Sequence, residues 1–302
     1  MFNTRKILHE KSKIPGAFVL DPETRRQLRE RYLEVCADIF RFCETHQLCC
    51  MLGGGSVLGA VRHQGFIPWD DDMDLNMPRK DYDTFAALFS EEMKDKYEVF
   101  VPDGRHRITN LFMKISLKNT LVEDIYTAGS PIRTGVCVDI FPIENVPGNS
   151  FLACMKGILS DIFAYSAVSA YIFQNRNPKM KAIYTQTRKG KRNYLLRCLL
   201  GAVLSFRNYT WWYCKFDKFA QSSSNSDQCT VPTGRRHYRG ELRNKQVFYP
   251  VRYLLFEKIP MPVPHDTYAY IKQLYGNYLA LPPENEREAH FYTKIDLIGK
   301  RD

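Results

Sequence analysis

The 302-residue chain lacks several features, and each absence narrows what it can be. Its nine cysteines contain no C-x-x-C pair, and an odd, scattered set mostly within apolar stretches reads as reduced thiols in a cytosolic compartment. Buried core thiols are therefore expected over a Cys36/Cys43/Cys49 metal site. Met1 to Lys13 is polar and charged, so no secretory signal peptide is expected there. The greasiest stretch, Phe151 to Phe173, is interrupted by Lys156 and Asp161. It falls short of the roughly 20 predominantly apolar residues that span a bilayer. No internal repeat is present, and neither a Walker A loop nor a G-x-G-x-x-G fingerprint occurs.

Acidic residues are scarce in one region only. The chain carries 43 Lys plus Arg against 33 Asp plus Glu, a net charge of +10. From Phe151 to Ala220 twelve basic residues meet only Asp161 and Asp217, while the remainder is formally neutral. That balance excludes an acidic, solvating or disordered protein and leaves a regional basic feature suited to a polyanion. Hydrophobic residues make up 44% and aromatics 13%, enough for a sizeable core, at a length near the upper limit of one core. One catalytic domain with an insertion is expected: a core over 1–147, a basic helical insertion over 148–228, and a C-terminal part over 229–302 that completes the catalytic domain.

Periodicity predicts an amphipathic helix from Glu23 to His46, with Asp21 and Pro22 as cap and first turn. A short apolar strand, Leu48 to Leu52, runs into Gly53, Gly54 and Gly55, and helical spacing resumes from Ser56 to Arg62. Asp72 to Met77 alternates as a strand does, with Asp72, Asp74 and Asn76 on one face. Further expectations are a helix over Arg79 to Phe89 and strands over Tyr97 to Val101, Asn110 to Leu117 and Gly135 to Phe141, the last ended by Pro142. The Phe151 to Ala220 segment reads as helical, Gln221 to Asp227 as a polar linker, Phe248 to Ile259 as strands and Asp266 to Tyr275 as a helix. The order indicates an α+β fold, a mixed sheet flanked by helices.

Three features carry chemistry. The glycine turn leads from strand to helix, where backbone N–H groups and the helix N-terminus favour an anion. Asp70, Asp71, Asp72 and Asp74 crowd four carboxylates into five residues, a repulsion that water or cations must offset, and alternation points Asp72 and Asp74 to one side as ligands of a hard cation. Asp139 lies in the apolar run VCVDIFP, where an unpaired carboxylate is costly, so it reads as a third metal ligand, a proton acceptor or a turn cap.

The run GGGSVLGAVRHQGFIPWDDDMDLNMPRKDY, Gly53 to Tyr82, resembles the LicD family of phosphocholine transferases, which includes fukutin and fukutin-related protein. FMKISLKNT, VDIFPIE, YGNY and LPPENEREAH extend the likeness over about residues 30–147 and 245–292. The resemblance implies a nucleotidyltransferase-like fold. It assigns Gly54, Gly55 and Ser56 to donor phosphate, Asp72, Asp74 and Asp139 to metal, and matches Arg62, His63 and Lys114 as phosphate partners. Asp139 or Asp70 would accept the hydroxyl proton, and Glu284, Arg287 and His290, spaced by three, are candidate substrate contacts.

It further implies CDP-choline or a related CDP-alcohol as donor, Mg²⁺ or Mn²⁺ as cofactor, release of CMP, and a glycan acceptor, lipid-linked or free, in lipopolysaccharide, teichoic acid or capsule biosynthesis. A choline headgroup would favour an aromatic box, for which Trp69, Phe256, Tyr275, Tyr278, Phe291 and Tyr292 are available. The rivals are a GT-A-like glycosyltransferase, which would lack the glycine turn, and a true nucleotidyltransferase, which would leave the nucleoside monophosphate on the acceptor. Nucleic acid is disfavoured as a partner, because every recognised motif lies outside the basic segment. That segment suits either an anionic membrane surface, making the protein cytoplasmic and peripheral on the inner face, or a solvated helical subdomain.

Overall fold

The structure, a computed structural model, describes residues 16–125, 127–224, 226–284, 287 and 290–298. Asp21 caps helix α1 (Pro22–Thr45), its Oδ1 accepting from the N–H groups of Glu23 and Thr24 at 3.0 and 2.9 Å. Leu28, Tyr32, Val35, Ile39 and Phe42, spaced by three and four, are all buried. Each such apolar side chain removed from water contributes about 1.5–3 kcal/mol, which fixes this face against the sheet.

The chain continues through β1 (Met51–Leu52), α2 (Gly54–His63), β2 (Asp74–Pro78), α3 (Arg79–Glu92), β3 (Tyr97–Phe100), β4 (Met113–Leu117), β5 (Leu121–Asp124) and β6 (Cys137–Asn145). Four helices follow: α4 (Ser150–Gln174), α5 (Pro178–Tyr184), α6 (Arg188–Leu204) and α7 (Tyr209–Ala220). The remainder comprises β7 (Gln228–Thr230), α8 (His237–Gly240), β8 (Arg243–Asn244), β9 (Arg252–Phe256), β10 (Ile259–Val263), α9 (Thr267–Tyr275) and β11 (Tyr292–Asp296). The fold is α+β. Its main sheet runs β1-β2-β6-β4-β3, with β7 added to β6 and β8 to β7. The β2–β6 pair is parallel and its neighbours are antiparallel. A separate pair, β5–β11, is extended by Phe18 beside Tyr292.

Two expectations about strands change. Asp72 precedes β2, which starts at Asp74. Pro142 does not end its strand, because β6 runs on to Asn145. The Asp139 N–H donates to Met73 O on the β2 side, so alternation turns residue 142 to the opposite side. There β4 pairing has ended at Ile140 and β7 pairing begins only at Glu144, so the missing proline donor forfeits no ladder bond.

The basic segment does not stand apart. Ala164, Ala167, Tyr171, Tyr213 and Phe216 of α4 and α7 share one buried cluster with Phe100 and Ile108 from the sheet side. Arg79 at the start of α3 donates from Nε to Glu144 at 2.7 Å and from Nη2 to Asp217 of α7 at 2.9 Å, locking the two regions together. Helix α4 is also longer than the interrupted sequence suggests. Over 25 residues it is long and apolar enough, by length and composition, to cross a bilayer. Yet Lys156 Nζ donates to Gln221 O at 2.5 Å, Asp161 meets Arg239 at 3.4 Å, and Ala164, Ala167, Ala170 and Ile172 are buried in the protein.

Candidate active site

The glycine turn is shaped around a carboxylate. Gly54 has φ +41°, and a Cβ there would lie 2.4 Å from Asp74 Oδ2. Only glycine admits both the left-handed backbone and the close approach. The Gly55 N–H donates to Asp74 Oδ2 at 3.4 Å, and the Gly54 N–H to the Tyr270 hydroxyl at 2.9 Å. Buried Ser56 accepts from the Asp74 N–H at 2.9 Å, and Gly53 N–H donates to Asp74 O at 2.7 Å. The polar atoms of the turn therefore hold the start of β2. Tyr270, which also accepts from Asn76 Nδ2 at 3.0 Å, carries no local sequence signal, lying 216 residues from Gly54.

Strand register assembles the centre. Asp74 of β2 sits opposite Asp139 of β6, and Asp139 opposite Lys114 of β4, so three adjacent strands present these side chains in one row. Lys114 Nζ donates to Asp139 Oδ1 at 2.6 Å. Burial works against the ammonium charge, but Asp139 outweighs it and the Lys114 pKa is raised, so the side chain stays protonated.

Alternation before β2 separates the four aspartates. Asp71 and Met73 turn inward, whereas Asp70 and Asp72 remain partly accessible on the other side. Asp71 is paired with Arg25 at 2.9 Å, and Arg29 reaches its carboxylate at 4.0 Å. Burial raises the Asp71 pKa despite the two arginines. Arg29 Nη2 also donates to the carbonyls of Ile67 and Asp70, both at 2.8 Å, and so fixes the loop before the strand. From the other end of the chain His290 Nε2 lies 3.1 Å from Asp70 Oδ1 and 3.9 Å from Asp72 Oδ2.

Asp70, Asp72 and His290 offer ligand atoms that all lie within 4.8 Å of one another. Two carboxylates and one imidazole fit a divalent ion with room for water or phosphate oxygens, and the nitrogen donor favours Mn²⁺ over Mg²⁺. This trio differs from the expected Asp72, Asp74 and Asp139. It shares Asp72 and draws in His290, which the sequence offers only as a substrate contact.

A cavity of about 400 Å³ opens beside the row. Asp72, Asp139, Lys114 and His290 line one wall, Ala164, Val168, Tyr171 and Ile172 of α4 the facing wall, and Tyr32, Tyr184, Tyr292 and Asp124 contribute further. Of the aromatics suggested for a choline box, only Tyr292 lines it. Arg62, His63, Arg287 and Glu284 collect elsewhere, around Trp69. The Arg62 and Arg287 guanidinium carbons lie 5.8 and 4.5 Å from the Trp69 ring centre, and the His63 ring 6.3 Å. Arg62 donates to His63 Nε2 and to Tyr278 O, both at 2.9 Å. Burial and Arg62 lower the His63 pKa. Glu284 is exposed and accepts from Arg287 at 3.3 Å.

The α+β domain thus carries a glycine turn entering a helix, with carboxylates on the next strand and on its parallel neighbour, the arrangement expected of a nucleotidyltransferase-type domain. Residues 47–155 match the family described as LicD/FKTN/FKRP, nucleotidyltransferase domain. The chain is also similar to the lipopolysaccharide cholinephosphotransferase LicD of Haemophilus influenzae, with 26% identity over 291 residues, 90% of this chain and 98% of that protein. Both comparisons support membership of the LicD family.

Proposed function

We propose that this protein transfers phosphocholine, or the phosphate of a similar small alcohol, from a CDP-linked donor to a hydroxyl of a cell-surface glycan. The observation that carries the reading is the Asp74–Asp139–Lys114 row beside the Asp70, Asp72 and His290 cluster, of which Asp139, Lys114, Asp72 and His290 border one cavity. The named activity of the Haemophilus relative supports phosphocholine as the group moved.

The hydroxyl oxygen bonds to the distal phosphorus of the donor. The bond from that phosphorus to the bridging oxygen breaks, and CMP leaves with the electron pair. Asp139 or Asp70 accepts the hydroxyl proton. Lys114, kept charged by Asp139, directs a cation at the charge that develops on the phosphoryl oxygens. Asp70, Asp72 and His290 would hold Mg²⁺ or Mn²⁺, which when bound would neutralise the donor diphosphate, and Asp74 stands in register beside Asp139. Gly54, Gly55 and Ser56 act by fixing Asp74 and the start of β2. Arg62 and Arg287 around Trp69 offer guanidinium groups to an anionic donor, with neutral His63 accepting from Arg62 and Glu284 orienting Arg287.

A quaternary ammonium suits the tyrosines of the cavity, Tyr32, Tyr171, Tyr184 and Tyr292, together with the Asp124 carboxylate. On this reading residues 1–147 and 229–302 supply the chemistry, and 148–228 supply the far wall of the cavity.

The test supplies Mg²⁺ or Mn²⁺ with CDP-choline, CDP-ethanolamine, CDP-glycerol or CDP-ribitol and measures CMP with and without glycan. Glycan-stimulated CMP release, greatest with CDP-choline, is expected. Asp124→Asn should raise KM for CDP-choline but not for CDP-glycerol. UDP release from nucleotide sugars, or no CMP from any donor, would refute the assignment.

A further inference from the structure

We infer that the outward faces of α4 and α6 seat the protein on an anionic lipid bilayer, an interaction that stands independently of the donor assignment. Along α4, Phe151, Leu159 and Ile162 form part of one row at steps of three and four residues, exposed by 69, 48 and 57%. The same row continues through Tyr165, Ser169 and Phe173, where α6 covers it. Tyr165 OH donates to Asn193 at 3.1 Å, and a Cβ on Gly201 would meet Ser169 O at 2.3 Å. Helix α6 then presents an outward row of its own, in which Leu199 and Val203 are exposed by 67 and 71%, and Phe206, just past its end, is exposed by 71%. The apolar surface therefore steps from the first half of α4 onto the outer face of α6. Isolated surface leucines need no explanation, but two continuous rows on packed helices do.

Charge identifies what covers them. Exposed Arg192 and Arg188 lie on the same α6 row, about two and three turns before Leu199, and Lys191 is beside them. The segment has only two acids, and both are engaged by arginines from outside it: Asp161 by Arg239 at 3.4 Å and Asp217 by Arg79 at 2.9 Å. Cations therefore dominate this surface, as they do on interfacial amphipathic helices. A second copy docked by twofold symmetry would oppose like charges, whereas anionic headgroups neutralise them. Trp211 and Trp212 beside Phe206 and Arg207 add the aromatic character of a membrane–water boundary. Spanning is disfavoured, because withdrawing α4 would break the Lys156 and Asp161 pairings and expose its buried alanines.

The opposite face of α4, through Ala164, Val168, Tyr171 and Ile172, is a wall of the cavity. Docking would thus hold the cavity about one helix diameter, ~10 Å, from the lipid surface, where a lipid-linked glycan is presented.

Flotation of the full chain with vesicles tests this. Strong binding is expected to vesicles containing phosphatidylglycerol in phosphatidylcholine at 50 mM salt, and at least tenfold weaker binding to pure phosphatidylcholine or at 500 mM salt. Leu199→Glu/Val203→Glu should reduce binding at least tenfold while leaving the circular dichroism spectrum and CMP release with a soluble acceptor unchanged. Arg188→Glu/Arg192→Glu should remove the preference for anionic lipid. No binding to anionic vesicles at low salt, or equal binding by the Leu199/Val203 variant, would overturn the proposal. So would a lipid-free dimer that those substitutions dissociate, because it would assign the face to a second copy.

Discussion

Gly54 and Asp74 are coupled so closely that one methyl group separates a working arrangement from a displaced one. Gly54→Ala would place its Cβ 2.4 Å from Asp74 Oδ2 on a backbone with φ +41°. Strain of about 1–2 kcal/mol follows for a residue held left-handed. Displacing a reacting group by about 1 Å can cost roughly 100-fold in rate. We expect Gly54→Ala to lower turnover by at least about 100-fold with only modest loss of thermal stability, measured by CMP release and calorimetry on the same preparation. Equal turnover would show that Asp74 is not positioned by the turn. At this scale the sequence speaks clearly where spacing is local: Asp72, Asp74 and the glycines stand within one motif. It is silent where partners are remote. Asp71 looks like one more member of the acidic cluster, and only Arg25 and Arg29 on α1 turn it into a buried structural pair. His290 meets Asp70 across 220 residues, which no local spacing announces.

Elements are joined by a few partly buried charge pairs, and these contribute to stability. Asp38 on α1 accepts from Lys96 Nζ at 2.8 Å and from the Tyr97 hydroxyl at 2.7 Å at the start of β3. Burial pushes its pKa up, but Lys96, Tyr97 and Arg41 outweigh burial and hold it below the ordinary 3.8. A lowered folded-state pKa stabilises fully above the unfolded value and is lost as pH falls through the folded value. Asp38→Asn should therefore cost about 1–3 kcal/mol in urea unfolding at pH 7, with the difference shrinking as pH falls below about 4. A difference that grows toward acid would contradict this clamp. The helices α1, α3 and α9 are legible because their apolar spacing is strict. The end of β6 is not, because a proline breaks a strand only where a partner needs its N–H, and the gap between β4 and β7 is a tertiary fact.

Among the described residues, the basic helices pack against the sheet side, and α4 lines the cavity. Their charge excess is plain in the sequence, but their place is not, because Arg79 finds Asp217 across 138 residues. Arg79→Leu would leave Glu144 and Asp217 buried without their cation. Breaking such a pair costs about 3–5 kcal/mol. We expect that loss in denaturant unfolding, with Arg79→Lys intermediate; wild-type stability in Arg79→Leu would mean that the two regions are held by apolar packing alone. The central claim is that phosphocholine moves and the nucleotide leaves. It is tested most directly by CDP-choline labelled either in the choline methyls or in the cytosine ring, incubated with Mn²⁺ or Mg²⁺ and a glycan acceptor. The account predicts choline label on the glycan and cytosine label in free CMP. Cytosine label on the glycan, or transfer of neither label, would contradict it.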